Sequence, residues 1–135
     1  MIINIKTSKK HEMVDVTDKV RDAVRKCGRG NGVVFVYARH ATGAIVINEN
    51  ADPNLCDDIL GVLKEIVPEH NDYKHDRIDN NAAAHIRAVL LGSGKFVPFE
   101  RRELMLGKWQ NIFFVELDGP REREIIITIL ENQKA

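Results

Sequence analysis

Cysteine is scarce in this chain, and the two present lie far apart. Cys27 and Cys56 form neither a CxxC pair nor part of a dense framework, which argues against a disulfide scaffold and for a reducing compartment. Net charge is missing too, because 20 basic side chains offset 20 acidic ones. So balanced a surface displaces few counterions, which argues against a nucleic-acid binder that works through bulk positive charge. Balance also removes the self-repulsion that would oppose association between copies. No apolar run approaches the length needed to cross a bilayer, and the opening stretch MIINIKTSKKHEM lacks the apolar core of a secretory signal. The expectation is a cytoplasmic protein with neither membrane nor nucleic acid among its partners. Repeats, a domain linker, an HExxH or zinc-finger spacing and a Gly-rich phosphate loop are absent as well.

What is present is ordinary globular composition, 44% hydrophobic and 30% charged over 135 residues, enough for a single domain spanning 1–135. Ile3 and Ile5 alternate with polar neighbours and predict a short opening strand, followed by a polar turn from Ser8 to His11. A helix is expected from Asp15-Val16-Thr17, with Thr17 as N-cap and Asp18 at the positive end. Val20, Val24 and Cys27 share its apolar face, Cys27 as a small buried hydrophobe, and Gly28 ends it. Val33 to Arg39 and Gly43 to Asn48 are β-rich runs split by a turn at His40, and they read as a hairpin.

Asp52-Pro53 opens a second helix, Asp as cap and Pro in the first turn, with Leu55, Ile59, Leu63 and Ile66 on one face and Cys56 packed beside it. Glu69 to Asn80 is a long polar loop, the kind that often carries function. Asn80 should cap a helix over Asn81 to Leu91, closed by Gly92. Lys95 to Phe99, interrupted by Pro98, belongs at an edge or bulge. Trp109 to Leu117 and Glu124 to Leu130 carry the strongest strand signals and are expected to form a central antiparallel pair. Strands joined mainly through turns favour an α+β fold over a doubly wound parallel sheet.

Three of the five histidines are oddly placed. His40 ends an apolar run, His75 lies in the polar loop, and His85 follows three alanines that leave room for something to approach its ring. Neutral imidazole suits zinc and related metals. A single histidine is nonetheless ordinarily a hydrogen-bonded packing residue, and His11 and His70, in polar turns, read as solvated. Glu49 and Asp58 are candidates for a general base or a divalent cation; as helix-dipole and surface carboxylates they need no such role. A plain hairpin would separate His40 from Glu49 by about 20 Å. Either the two runs are not a hairpin, or neighbouring subunits complete the cluster.

The run from His40 to Asn50, HATGAIVINEN, is followed by Asp52-Pro53 and Asp58. Further on come Tyr73-Lys74-His75-Asp76, Ala84-His85-Ile86, Gly92-Ser93 before Val97-Pro98, and Gly107-Lys108-Trp109-Gln110. This ordered set, through nearly the entire chain, resembles the YjbQ family. The resemblance implies a β-rich pseudo-barrel, largely antiparallel, with flanking helices and assembled as a homotrimer. It implies His40, His75 and His85 as metal ligands, Asn48, Glu49 and Asp58 nearby, and Gln110 as a hydrogen-bond partner of a ligand. Three departures stand out: Lys108 where the family has threonine, Arg101-Arg102-Glu103 where a glycine is usual, and Gly94 in place of a small polar residue.

The activity implied is that of a secondary thiamine-phosphate synthase, in which a thiazole phosphate nitrogen displaces pyrophosphate from a hydroxymethylpyrimidine diphosphate. Such chemistry needs a divalent ion and cationic groups for the leaving pyrophosphate. Glu49 and Asp58 suit magnesium, and Lys108, Arg121 and Arg123 suit phosphate; three histidines suit zinc better. A zinc-dependent hydrolase or lyase, with Glu49 or Asp58 as base, and a non-catalytic trimer that binds a metal or small molecule are the alternatives.

Overall fold

Runs rich in β-branched and aromatic residues build eight strands here, and three helices cover them, in the computed structural model, which describes residues 1–133. The last two positions of the 1–135 domain lie outside those described residues. Along the chain come β1 (Ile2–Lys6), β2 (Glu12–Asp15), α1 (Thr17–Cys27), β3 (Gly32–Ala38), β4 (Gly43–Asn48) and α2 (Pro53–Ile66). A short 3₁₀ turn (Lys74–Arg77) leads to α3 (Ala82–Leu91), β5 (Gly94–Glu100), β6 (Glu103–Leu104), β7 (Asn111–Glu116) and β8 (Glu122–Glu131). One sheet has the order β1-β8-β3-β5-β6 and the other β2-β7-β4, and every ladder within them is antiparallel. The fold is α+β, as the connectivity predicts, and the strands curl into a half-barrel.

The main core lies between the two sheets. Val34, Val36 and Ala38 of β3, Ile125 and Ile127 of β8, and Phe99 of β5 meet Ile45, Ile112 and Phe114 from the smaller sheet. Val20 and Val24 of α1 seal the same core, each burial contributing about 1.5–3 kcal/mol. On its other side the smaller sheet presents Ala44, Val115 and Leu117 to Ala84 and Ala88 of α3. A strand covered on both faces has no polar alternation to show. That explains the unbroken buried run through β7, whereas β8 alternates.

Several expectations need correction. β3 and β4 are consecutive but belong to different sheets, so they form no hairpin. The Gly92-Ser93 turn lies beside both: Ala38 N–H donates to the Ser93 carbonyl at 2.8 Å and Ile45 N–H to that of Gly92 at 3.2 Å. Gly92 holds φ at 90°, a region glycine enters without steric cost. β7 and β8 are not partners either; each is flanked by two other strands, in separate sheets. β2 was not expected at all: Glu12–Asp15 is too short and mixed to show a period, and its pairing with β7 makes it a strand.

The helices differ in smaller ways. Thr17 is the first residue of α1 rather than its cap; its hydroxyl bonds Asp15 and accepts from Ile112 N–H at 2.9 Å. Cys27 is exposed, and Ala23 takes the buried position instead. Asp52 does cap α2, accepting from Asn54 N–H at 2.9 Å. Of the expected α2 face only Leu63 is buried, and Ile66 is 62% exposed. α3 begins at Ala82, with Asn80 left in the left-handed region at φ 53°. Its first turn is capped from a distance, because Asp76 Oδ1 accepts from Ala82 N–H at 3.0 Å. Pro98 sits in β5, next to the two-residue edge strand β6, and its carbonyl accepts from Met105 N–H.

Candidate functional site

Small side chains set the geometry of the histidine pair. Ala82, Ala83 and Ala84 are buried where α3 meets the smaller sheet, which leaves His85 half-buried on the flank. The 3₁₀ turn, tied to the helix by Asp76, brings His75 against it: the two rings meet edge to face, centroids 4.9 Å apart at 86°. His75 Nε2 is sealed from solvent with no hydrogen-bond partner among the described residues, and the nearest carboxylate oxygen recorded for it, from Asp79, is 3.7 Å away. A cavity of about 350 Å³ opens here, lined by Tyr73, Lys74, His75, Ala82, His85 and Ile86.

His40 is elsewhere. It lines a separate cavity of about 480 Å³ with Asn4, Lys6, Glu122, Arg123 and Glu124, and its Nε2 accepts from Glu124 N–H at 2.8 Å. Burial and the nearby Arg123 charge push its pKa down. Within one chain the three imidazoles therefore do not converge. Among the described residues no group of three or more His, Cys, Asp or Glu side chains is arranged to hold a metal ion.

None of the remaining predicted residues lines the His75–His85 cavity: Asn48, Asp58, Lys108, Gln110 and Arg121 are exposed, Glu49 is half-buried, and Arg123 is buried. Asn48 Oδ1 accepts from Glu49 N–H at 2.7 Å at the end of β4. Asp58 lies on α2 beside an apolar groove formed with Leu55, Ile59 and Val62. The Lys108 ammonium stands 5.2 Å from the centre of the Trp109 ring, and Gln110 Oε1 accepts from Gly107 N–H at 2.8 Å, closing its own turn. Arg121 is held by Asp118 at 2.8 Å. Arg123, expected at phosphate, is buried and bonded to Glu116 and Thr42.

Two buried polar clusters escaped the sequence reading. Glu116 and Arg123 form an ion pair inside the protein, joined by the Thr7 and Thr42 hydroxyls, linking the two sheets. Arg87, 1% exposed, donates twice to the Val67 carbonyl and once to Glu69, with His11 beside it at 3.2 Å. His11 is thus half-buried rather than solvated, and burial followed by the charge of Lys64 lowers its pKa. Burial acts to raise the Glu69 pKa, but the hydrogen bond from Arg87 and the charges of Lys10, Arg87 and His11 outweigh it, leaving the carboxyl below its usual range. A signal existed for both: Arg87 falls among the alanines of the buried helix face, and Glu116 interrupts an apolar run.

Fold and site together define a small antiparallel α+β protein with a histidine pair beside a shallow cavity. The family described as "UPF0047 protein YjbQ-like" matches residues 1–132, and the chain belongs to it. It is 45% identical to a UPF0047 protein of Archaeoglobus fulgidus, over 96% of this chain and 100% of that one. It is 39% identical to UPF0047 protein YugU of Bacillus subtilis, over 95% and 96%. Among solved structures, a YjbQ/UPF0047 family protein from Clostridium acetobutylicum superposes with a TM-score of 0.93 at 41% identity, covering 96% of this chain and 99% of that one. A protein of unknown function from Sulfolobus solfataricus gives 0.94 at 43% identity, covering 98% and 96%.

Proposed function

We propose that the protein is a homotrimer that holds a divalent metal, zinc by preference, at the His75–His85 pair and acts there on a small phosphorylated molecule. One observation supports this reading above others: the two rings lie 4.9 Å apart, and the sealed Nε2 of His75 has no hydrogen-bond partner among the described residues. A buried ring nitrogen of that kind is costly unless something binds it. Imidazoles favour zinc over magnesium, and a catalytic zinc takes three protein ligands and leaves one position open. The missing ligand comes from a second copy, for which Glu49 and Asp58 are the candidate carboxylates. Exposed apolar side chains near the pair and on α2 (Ile86, Val89, Val62 and Ile66) suit a subunit contact.

Such an ion polarises a phosphate oxygen and makes a bound water more acidic. Around it, whichever of Glu49 and Asp58 is not a ligand acts as base, and Asn48, Lys108, Gln110 and Arg121, all exposed but outside the cavity of their own chain, orient the substrate from a neighbouring copy. The reaction proposed first is the joining of a hydroxymethylpyrimidine diphosphate to a thiazole phosphate with release of pyrophosphate. A zinc-dependent hydrolase or lyase is the second reading, favoured by the imidazole pair. Metal analysis and solution mass of the purified protein, with assays of pyrophosphate release and ester hydrolysis, separate them. Zinc in a trimer with pyrophosphate release supports the first reading, and zinc with ester cleavage alone the second. Metal without turnover leaves a binding protein, and a metal-free monomer refutes the proposal.

A further inference from the structure

His40 ends the β3–β8 ladder in an unusual way. The last backbone pair of that ladder matches Ala38 with Ile125. One residue further along β8, Glu124 N–H is bound by the imidazole of His40 instead of a carbonyl, at 2.8 Å. A backbone amide can only donate, so Nε2 must carry its lone pair there and the proton must reside on Nδ1. The ring is further fixed by its edge-on contact with Phe114, at 6.2 Å between centroids. Nδ1 makes no hydrogen bond among the described residues and is not sealed from solvent, and the ring lines the 480 Å³ cavity.

This arrangement leaves neither nitrogen for a metal. Nε2 is already occupied. Ligation through Nδ1 would move the proton to Nε2 and set it against the Glu124 amide, donor facing donor. A metal-bound histidine ordinarily points its other ring N–H at an acceptor, the reverse of what is found here. We propose that His40 is not a metal ligand but a fixed hydrogen-bond donor, holding the end of β3 to β8 through Nε2 and offering Nδ1–H to an acceptor oxygen of a small molecule in this cavity. The inference goes beyond the metal reading and does not depend on it.

The test is imidazole nitrogen NMR on the full-length protein, titrated first with zinc and then with inorganic phosphate as the simplest acceptor oxyanion. His40 is expected as the Nδ1–H tautomer, unmoved by zinc while His75 and His85 shift, and shifted by phosphate at Nδ1. H40Q, whose amide oxygen can still accept from Glu124 N–H, should retain wild-type zinc content and most of the thermal stability that H40A loses. An Nε2–H tautomer, a zinc-dependent shift of His40, or loss of zinc in H40Q overturns the assignment. Zinc that moves no histidine removes the metal reading and leaves this one supported by the tautomer. A His40 resonance indifferent to phosphate overturns the ligand-binding half.

Discussion

The two faces of β7 treat ionisable side chains in opposite ways. Toward the five-stranded sheet, Glu116 is fully buried, and every contact it makes is answered: Arg123, Thr7 Oγ1 and Asp118 N–H all donate to its carboxylate. Toward α3, the alanine packing holds a pair of imidazoles at the surface, and one ring nitrogen is left unanswered. The first arrangement ties two sheets together and leaves little capacity for new partners. The second keeps that capacity. Burial of charge is stabilising only when the partners are complete, so the satisfied cluster belongs to the fold, and the incomplete one is the position at which we propose a ligand.

Substitutions on the two faces should therefore separate stability from binding. The largest effect is expected for Glu116→Gln, which leaves the Arg123 guanidinium buried without its counter-charge; a loss of about 3–5 kcal/mol should appear in urea denaturation, with metal content of the folded fraction unchanged. A loss below about 1 kcal/mol would move this pair out of the structural class. His85→Ala should do the reverse. On the proposed function, the metal is lost while the proposed trimer persists, and unfolding of the metal-free protein shifts by no more than about 1 kcal/mol. Full metal stoichiometry in that variant would return His85 to a packing role.

A smaller and graded effect is expected of pH. The Glu69 and His11 groups both have folded pKa values below their usual ones, so the unfolded chain takes up protons first as pH falls. Their contribution is complete above the usual histidine range. The His11 part declines as pH drops through that range, and the Glu69 part follows in the carboxylate range. Arg87→Met should flatten the Glu69 portion of this dependence in thermal melts taken across pH; an unchanged slope would show that Arg87 does not hold the carboxylate. The smallest effect is expected for Lys108→Thr, which removes a cation–π contact worth about 0.5–1 kcal/mol at an exposed site. Its main consequence should be weaker binding of phosphate, and equal affinity would remove Lys108 from the site.

The sequence carried more of the site's inventory than of its geometry. His75 and His85 are legible as candidates, alongside His40, from the polar loop and the alanine-rich helix that hold them, and their two rings do meet. Asp76, four residues before the expected cap Asn80, gives no sign that it caps α3, because the cap reaches across six residues rather than two or three. His40 looked equivalent to the other two. Only its position at the end of the β3–β8 ladder distinguishes it.

By itself the sequence determined what is local: the Asp52-Pro53 start of α2, the helix stop at Gly92, and strands written as β-branched runs. Those features depend on neighbours within a few residues, where backbone sterics and capping act. Tertiary structure alone decided that β3 and β4 part into different sheets, that β7 and β8 do not pair, and that Cys27 faces solvent while Arg87 does not. A period of two fixes which side of a strand is apolar but says nothing of its partner. The burial of a charge is decided by a counter-group, and for Glu116 the Thr7 hydroxyl that completes its shell lies 109 residues away.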